Sequence, residues 1–399
     1  MNQRSLEPRD QRALLATAGQ FFVNGAMTAS FLARAPQIRD RIDVTVAGFG
    51  LLLTTVGVLG LVGSLVAGRV IDRASTRRVL QVGAVVMVLS LPVIGAARHP
   101  AVFLAGMFAY AFIDVMVDIS MNLQGSWISA RRHTPVMNRL HGLWSLGMFA
   151  GGLGAVAANA AGLDPFAHLL IVAVVMAGVL SVVTQNLLPT DEEGHADAEP
   201  APATPSTTPR RAPVVLLVVA GMFAVVAEVT GGDWATFRMT DDFGAAAAVG
   251  SFAFVAYTVG MTLMRFVGDW LQLRLGREGL HRLSLTLATA GFIVAALIPQ
   301  RAISIIGFVL VGVGVATFMP KLYDDAARLP GRRGAGLGAM TAGMRLAYLA
   351  APVAVGWLAG TSRLGVGDAI AIATLPAMAA LAFATEANRR VLGGYPRRS

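Results

Sequence analysis

Residues 68–78 read Gly68-Arg69-Val70-Ile71-Asp72-Arg73-Ala74-Ser75-Thr76-Arg77-Arg78, one acid among four arginines. Apolar runs flank them, Thr45–Ala67 before and Val79–Ala97 after. Each run matches the about 20 residues that an α-helix needs to cross a bilayer. The stretch is therefore a tight charged loop between two spans. Arginines in such a loop serve membrane orientation whatever else they do. An acid serves no such purpose, and Asp72 beside Arg73 and Arg77 can clamp helix ends by charge-assisted hydrogen bonds that are made in one conformation and broken in another.

The same alternation runs along the whole chain. Further apolar runs lie at Ala13–Leu32, Ala101–Asn122, Leu140–Leu163 and Ala167–Leu188, then Pro213–Thr230, Ala245–Val267, Leu283–Ile298, Ile303–Met319, Ala335–Ala359 and Asp368–Ala384, which makes twelve in all. The 399 residues are 55% hydrophobic and 14% charged, with mean hydropathy +0.64, against about 25% charged in an ordinary soluble protein. This composition argues against a soluble enzyme, a secreted disulfide module and a nucleic-acid reader. There is no cysteine. The histidines are scattered without ligand spacing, so neither a metal nor any other cofactor is expected, and no hydrolase constellation is visible.

Between the sixth and seventh runs, residues 189–212 read PTDEEGHADAEPAPATPSTTPRRA. Proline, alanine and acid with almost nothing to bury make a disordered linker. The expected organisation is a six-helix bundle over 1–188, a linker over 189–212 and a second six-helix bundle over 213–399. With the N-terminus taken as cytoplasmic, 23 of the 32 lysines and arginines fall on that side and 7 on the other, with Arg265 and Arg345 inside spans. Basic segments resist translocation, so both termini are expected in the cytoplasm, and the net charge of +9 needs no nucleic-acid partner.

The loop at 68–78 resembles the cytoplasmic signature of the major facilitator superfamily, Gly-x-x-x-Asp-Arg-x-Gly-x-Arg-Arg, with Ser75 where the family has glycine. Arg265-Phe266-Val267-Gly268-Asp269, followed by Arg274, Gly276 and Arg277, looks like a degenerate second copy in the corresponding loop. The resemblance implies a non-enzymatic secondary transporter: all-α, twelve transmembrane helices in two pseudo-symmetric bundles, with the substrate site near the midplane. It also implies a gating role for Gly68, Asp72, Arg73, Arg77, Arg265, Gly268 and Asp269.

Polar residues inside a membrane are costly and mark function by default. The fourth span carries Tyr110, Asp114, Asp118 and Asn122, four apart and hence on one helix face. Gln20 and Asn24 repeat that spacing on the first span. Glu228 lies inside the seventh span, and Arg345 lies inside the eleventh, where it needs an anion: Glu228, which is the slightly favoured choice, or a charged group on the substrate. Small residues four apart, Gly60, Ser64 and Gly68, then Gly147 and Gly151, are expected to let helices approach closely.

Asp118 to Asn122 resembles the fourth-helix Glu-x-x-x-Asn element of fucose–proton symporter relatives. Met137-Asn138-Arg139-Leu140-His141-Gly142-Leu143-Trp144-Ser145-Leu146-Gly147, and Glu228 with Gly231-Gly232-Asp233-Trp234, resemble the MosC-like branch related to those permeases. The resemblance implies that Asp118 binds and releases the coupling proton, with Asp114 as its partner or as a substrate ligand. The residues alone also allow two permanently satisfied acids, by hydrogen bonds or pairing with arginine, that hold helices together. Where the fucose branch carries an acid on the first helix, this chain has Asn24 and Gln20.

The expectation is a bacterial inner-membrane transporter, working as a monomer in the lipid bilayer by alternating access. It would move a small polar, sugar-like solute with protons. Gln20, Asn24, Tyr110, Asn122, Glu228 and Arg345 are the expected substrate ligands. Proton-driven export of a metabolite or antibiotic is the alternative on the same fold, and a non-transporting membrane sensor is a third reading.

Overall fold

The computed structural model describes residues 8–132, 136–189, 211–327, 335–361 and 364–393. The first half holds α1 (Pro8–Leu32), a short α2 (Ala35–Arg41), α3 (Val46–Ala74), α4 (Thr76–Ala96), α5 (Pro100–Arg132), α6 (Met137–Ala160) and α7 (Pro165–Val183). The second holds α8 (Arg211–Asp233), α9 (Ala235–Phe237) running into a π-turn at Arg238–Asp242, α10 (Ala247–Leu297), α11 (Arg301–Val315), α12 (Phe318–Ala327), α13 (Ala335–Thr361) and α14 (Val366–Gly393). Helix α10 is two spans joined at a break, where Gly276 takes φ 71° and ψ 167°.

Among the described residues, eleven stretches are long and apolar enough to cross a membrane. The 25-residue α1 is also of spanning length but more polar, carrying Thr17, Gln20, Asn24 and Thr28. With it, the described residues hold the twelve spans read from the hydropathy. The fourth runs on to Arg132, past the expected end at Asn122. The expected linker lies almost wholly in residues 190–210, outside the described residues.

The chain divides into two compact units, Met1–Val44 with Thr55–Glu199 and Thr45–Thr54 with Pro200–Ser399. In the first, Phe21, Met27, Leu91 and Leu169 are fully buried; in the second, Trp234, Phe254, Phe292 and Phe308 are. Leu65, Val174, Phe266 and Phe383 point outward and are at least 65% exposed. Large apolar side chains turned outward along helices are what a lipid environment accommodates.

Two local devices recur in both units. In the first, a Cβ on Gly147 or Gly151 would run into the carbonyls of Phe22 and Ala26, so α1 and α6 touch backbone to backbone. In the second, Gly343 and Gly221 bring α13 against α8 in the same way, at the carbonyls of Val218 and Met340. The other expected contact stripe does not form: Gly60 meets only the Val115 side chain and Gly68 has open space around it, while the Ser64 side chain lies outside those described. Among the described residues, nothing stands within 4 Å of a Cβ built at Gly68.

The second device is the turn after the second span of each half. Ser75 adopts φ 78° and ψ 153° and accepts a hydrogen bond from the Arg78 N–H, starting α4. Gly276 has nearly the same backbone conformation between the two spans of α10.

Polar staples close other helix ends. Asp164 caps α7, its Oδ1 accepting from the Ala167 N–H at 2.7 Å, while its Oδ2 receives Arg41 at 3.0 Å. The Ala167 N–H first, then Arg41, hold its carboxyl below the ordinary aspartate value. Asp242 accepts from the N–H groups of Val366 and Gly367 at the head of α14, at 2.9 and 2.8 Å. It also binds Arg238, whose guanidinium reaches the Ala295 and Ile298 carbonyls at the tail of α10 and stacks on Phe243. One ion pair thus bridges the positive head of one helix and the negative tail of another.

Candidate functional site

The polar residues singled out on the first and fourth spans meet in the first unit. Asn24 Nδ2 donates to Asp114 Oδ1 at 2.6 Å, and Trp144 Nε1 on α6 donates to Asn24 Oδ1 at 2.9 Å. One turn along α1, the Thr28 hydroxyl pairs with the Tyr110 hydroxyl at 2.9 Å. Tyr110 in turn stands edge-on to Phe31 at 5.1 Å. The close approach of α1 and α6 at Gly25 and Gly147 is what lets the indole reach across.

Asp118 and Asn122 form a separate pair further along α5. Asn122 Nδ2 donates to the Asp118 carbonyl at 2.8 Å and to its Oδ1 at 3.1 Å. Asp118 is exposed and Asp114 half-buried. The two carboxylates lie one turn apart, and Asp114 feels the like charge of Asp118. Gln20 is fully buried on α1, and neither its amide nitrogen nor its oxygen finds a partner among the described residues.

Thr28 and Trp144 were missed as site residues. An indole N–H inside a membrane needs an acceptor, and Trp144 stands in the run from Met137 quoted above. That was the available signal. Thr28 continues the Gln20–Asn24 spacing by one more turn.

In the second unit, Glu228 is not partnered by Arg345. Its carboxylate lies 3.9 Å from the Arg265 guanidinium, and the Tyr257 hydroxyl donates to its backbone carbonyl at 3.0 Å. Arg265, expected in the loop latch, instead reaches back along the membrane to this acid, because it sits three residues before Gly268 on a continuous helix. Asp233, further along α8, is half-buried and feels the charge of Glu228. Arg345 is exposed and has no ion pair or hydrogen bond among the described residues.

The loop residues divide. Asp72 and Arg73 are exposed and unpaired among the described residues, while Arg77 donates to the Gln185 carbonyl at 2.7 Å. Gly268 is half-buried with nothing against it, and the Asp269 side chain lies outside those described. In the second unit a network not expected from the sequence ties the break in α10 to α12. Arg277 and Lys321 both bind Asp325 at 2.7 Å, and Lys321 lies 3.5 Å from Glu278. Lys321 is the single lysine of the chain, and its i,i+4 spacing to Asp325 was the clue.

A model of the Major Facilitator Superfamily matches residues 13–352. An uncharacterized MFS-type transporter of Yersinia pestis is 25% identical over 369 residues, covering 92% of this chain and 94% of that one. The membrane protein MosC of Rhizobium meliloti is 24% identical, over 81% of this chain and 77% of its own length. Among solved structures, the nucleoside transporter NupG superposes with a TM-score of 0.69 at 12% identity, over 98% of this chain and 100% of that one. An inward-facing bacterial homologue of the lysosomal transporter Spinster gives 0.70 at 14%, over 99% and 100%. These two likenesses are of fold. Twelve helices of spanning length among the described residues, the duplicated turn and a family match over most of the chain lead to one conclusion: the chain belongs to the Major Facilitator Superfamily and is a multi-pass membrane transporter.

Proposed function

We propose that the chain is a proton-coupled symporter that carries a small polar, sugar-like solute across the bacterial inner membrane by alternating access, as a monomer. The observation that carries this reading is the hydrogen-bonded set Trp144–Asn24–Asp114 beside Thr28–Tyr110. Amide, indole, phenol and hydroxyl groups on three helices suit a solute rich in hydroxyls, which needs several donors and acceptors held in place.

Asp118 takes the coupling proton in this scheme. It is exposed, and it stands one turn from the acid that holds Asn24. Two ionised carboxylates at that spacing repel, so loading one proton changes the charge that the Asn24 network must hold. Solute and proton occupancy are thereby linked through Asp114. The skew of basic residues supports cytoplasmic termini, and the composition of residues 189–212 supports a linker between two six-helix bundles. The loops around Asp72 and Asp269 act as latches that exchange partners during the cycle.

The test is solute-induced proton movement in proteoliposomes, screening sugars and polyols. Accumulation driven by a pH gradient, lost in Asp118→Asn while solute exchange persists, is the expected result. Unchanged accumulation in that variant removes Asp118 from the proton role, and solute movement against an inward proton gradient replaces symport by export.

A further inference from the structure

Arg345 lies seven residues inside the apolar segment Gly338–Gly360 of α13, about 10 Å from its end at 1.5 Å per residue. A guanidinium at that depth requires a counter-charge or water. The acid within its own unit that suited it by sequence, Glu228, is beside Arg265. Among the described residues Arg345 has no partner, and it is exposed.

Two to three turns on, the same stripe of α13 is packed against protein. Pro352 and Gly356, seven and eleven residues further on, fall within about 20° of Arg345 around the helix. In the second unit both pack against the segment Thr45–Thr54: Gly50 against the Pro352 carbonyl, Gly356 against the Val46 carbonyl and the Gly50 Cα. Met340, Gly343 and Ala347, on the opposite side, are buried, with Met340 and Gly343 directly against α8. The large exposed apolar residues Leu346 and Trp357 lie on a third side. Arg345 therefore stands on the stripe of α13 that is packed against protein from Pro352 onward, about two turns further along.

We infer that Arg345 of the second unit binds an anionic group of the cargo, and that the cargo is a small polar solute bearing a carboxylate or phosphate. The inference rests on the transport reading above and narrows its substrate class. A guanidinium offers five N–H donors in a planar fork that meets either group with two parallel hydrogen bonds. Glu228 is faced by Arg265, the electrostatic neighbour of Asp233 is Glu228, and among the described residues neither acid pairs with Arg345.

The test compares matched pairs by thermal-shift titration of the full chain in phosphatidylcholine nanodiscs: glucose with glucuronate, glucitol with gluconate, and glucose with glucose 6-phosphate. Acetate and inorganic phosphate serve as bare anions, and the same solutes are assayed for counterflow in proteoliposomes. The acidic member of at least one pair is expected to bind about tenfold or more tightly than its neutral counterpart, the worth of a hydrogen bond to a charged group. That preference should vanish in Arg345→Gln and survive in part in Arg345→Lys. Carboxylate and phosphate members of the set tell the two chemistries apart.

Equal binding of acidic and neutral members, a preference that persists in Arg345→Gln, or no anion binding at all overturns the inference. Because the matched pairs are compared in the unmodified protein, the result stands even if the glutamine variant does not fold. Counterflow of neutral sugars without the acids would overturn it while leaving the transport reading intact. Arg345-dependent anion binding without counterflow of any solute would support it and overturn the transport reading.

Discussion

Ser75 holds a backbone conformation, φ 78° and ψ 153°, that is essentially reserved for glycine, and Gly276 holds its counterpart in the second unit. Keeping a side chain there costs about 1–3 kcal/mol. Ser75→Gly removes that cost. Against the gain stand two losses: the weak 3.4 Å cap from the Arg78 N–H to Ser75 Oγ, worth a few tenths over glycine, and the greater freedom of glycine in the unfolded chain, about 0.5–1 kcal/mol. The net expectation is stabilisation by about 1 kcal/mol, or a rise in melting temperature of roughly 2–4 °C for a unit of this size. Gly276→Ser is the mirror experiment. No atom lies within 4 Å of where its Cβ would stand, so the cost is conformational alone, about 1 kcal/mol or more of destabilisation. Both variants are to be melted in one detergent at one scan rate, since membrane proteins commonly unfold irreversibly. Opposite shifts support the duplicated turn. A Ser75→Gly variant that melts no higher than the parent, with Gly276→Ser unchanged, would refute the argument that the two turns share a strained geometry.

Asp242→Ala should destabilise the second unit by about 3–5 kcal/mol, because it leaves the buried Arg238 unpaired and uncaps α14; a melting temperature within a degree or so of the parent would exclude the staple. Gly147→Val should cost about 3 kcal/mol or more by forcing α1 off α6, read as lost monodispersity and a lowered melt, whereas Gly68→Ala, with open space around it, should be neutral or slightly stabilising. Asp164 has its pKa lowered in the folded state, so its contribution is complete above the unfolded value of 3.8 and is lost as pH falls through the lower folded value. Melting curves between pH 3 and 7 should accordingly show a shallower acid loss for Asp164→Asn than for the parent. Asp164→Ala should cost about 1 kcal/mol at neutral pH.

The spans and their number were legible in the chain itself, because crossing a membrane requires a continuous apolar run and forbids much else. The polar stripe on α5 was legible for the same reason: side chains four apart share a helix face wherever the helix sits, so Tyr110, Asp114, Asp118 and Asn122 could be named together. Position 75 was legible only as a departure from a motif, and its physical meaning appeared with the φ angle.

Partnership was another matter. Glu228 had two arginines to choose from, and hydropathy could not say that the near one, Arg265 on α10, would reach it in place of Arg345 on α13. Thr28 and Trp144 joined the site because α1 and α6 touch at glycine, a contact that depends on which groove a small residue meets. Gly68 has the same small side chain and meets nothing. Periodicity along one helix is written locally and survives in the sequence; the neighbour across the groove is set by packing between segments far apart in the chain, and only the tertiary structure decides it.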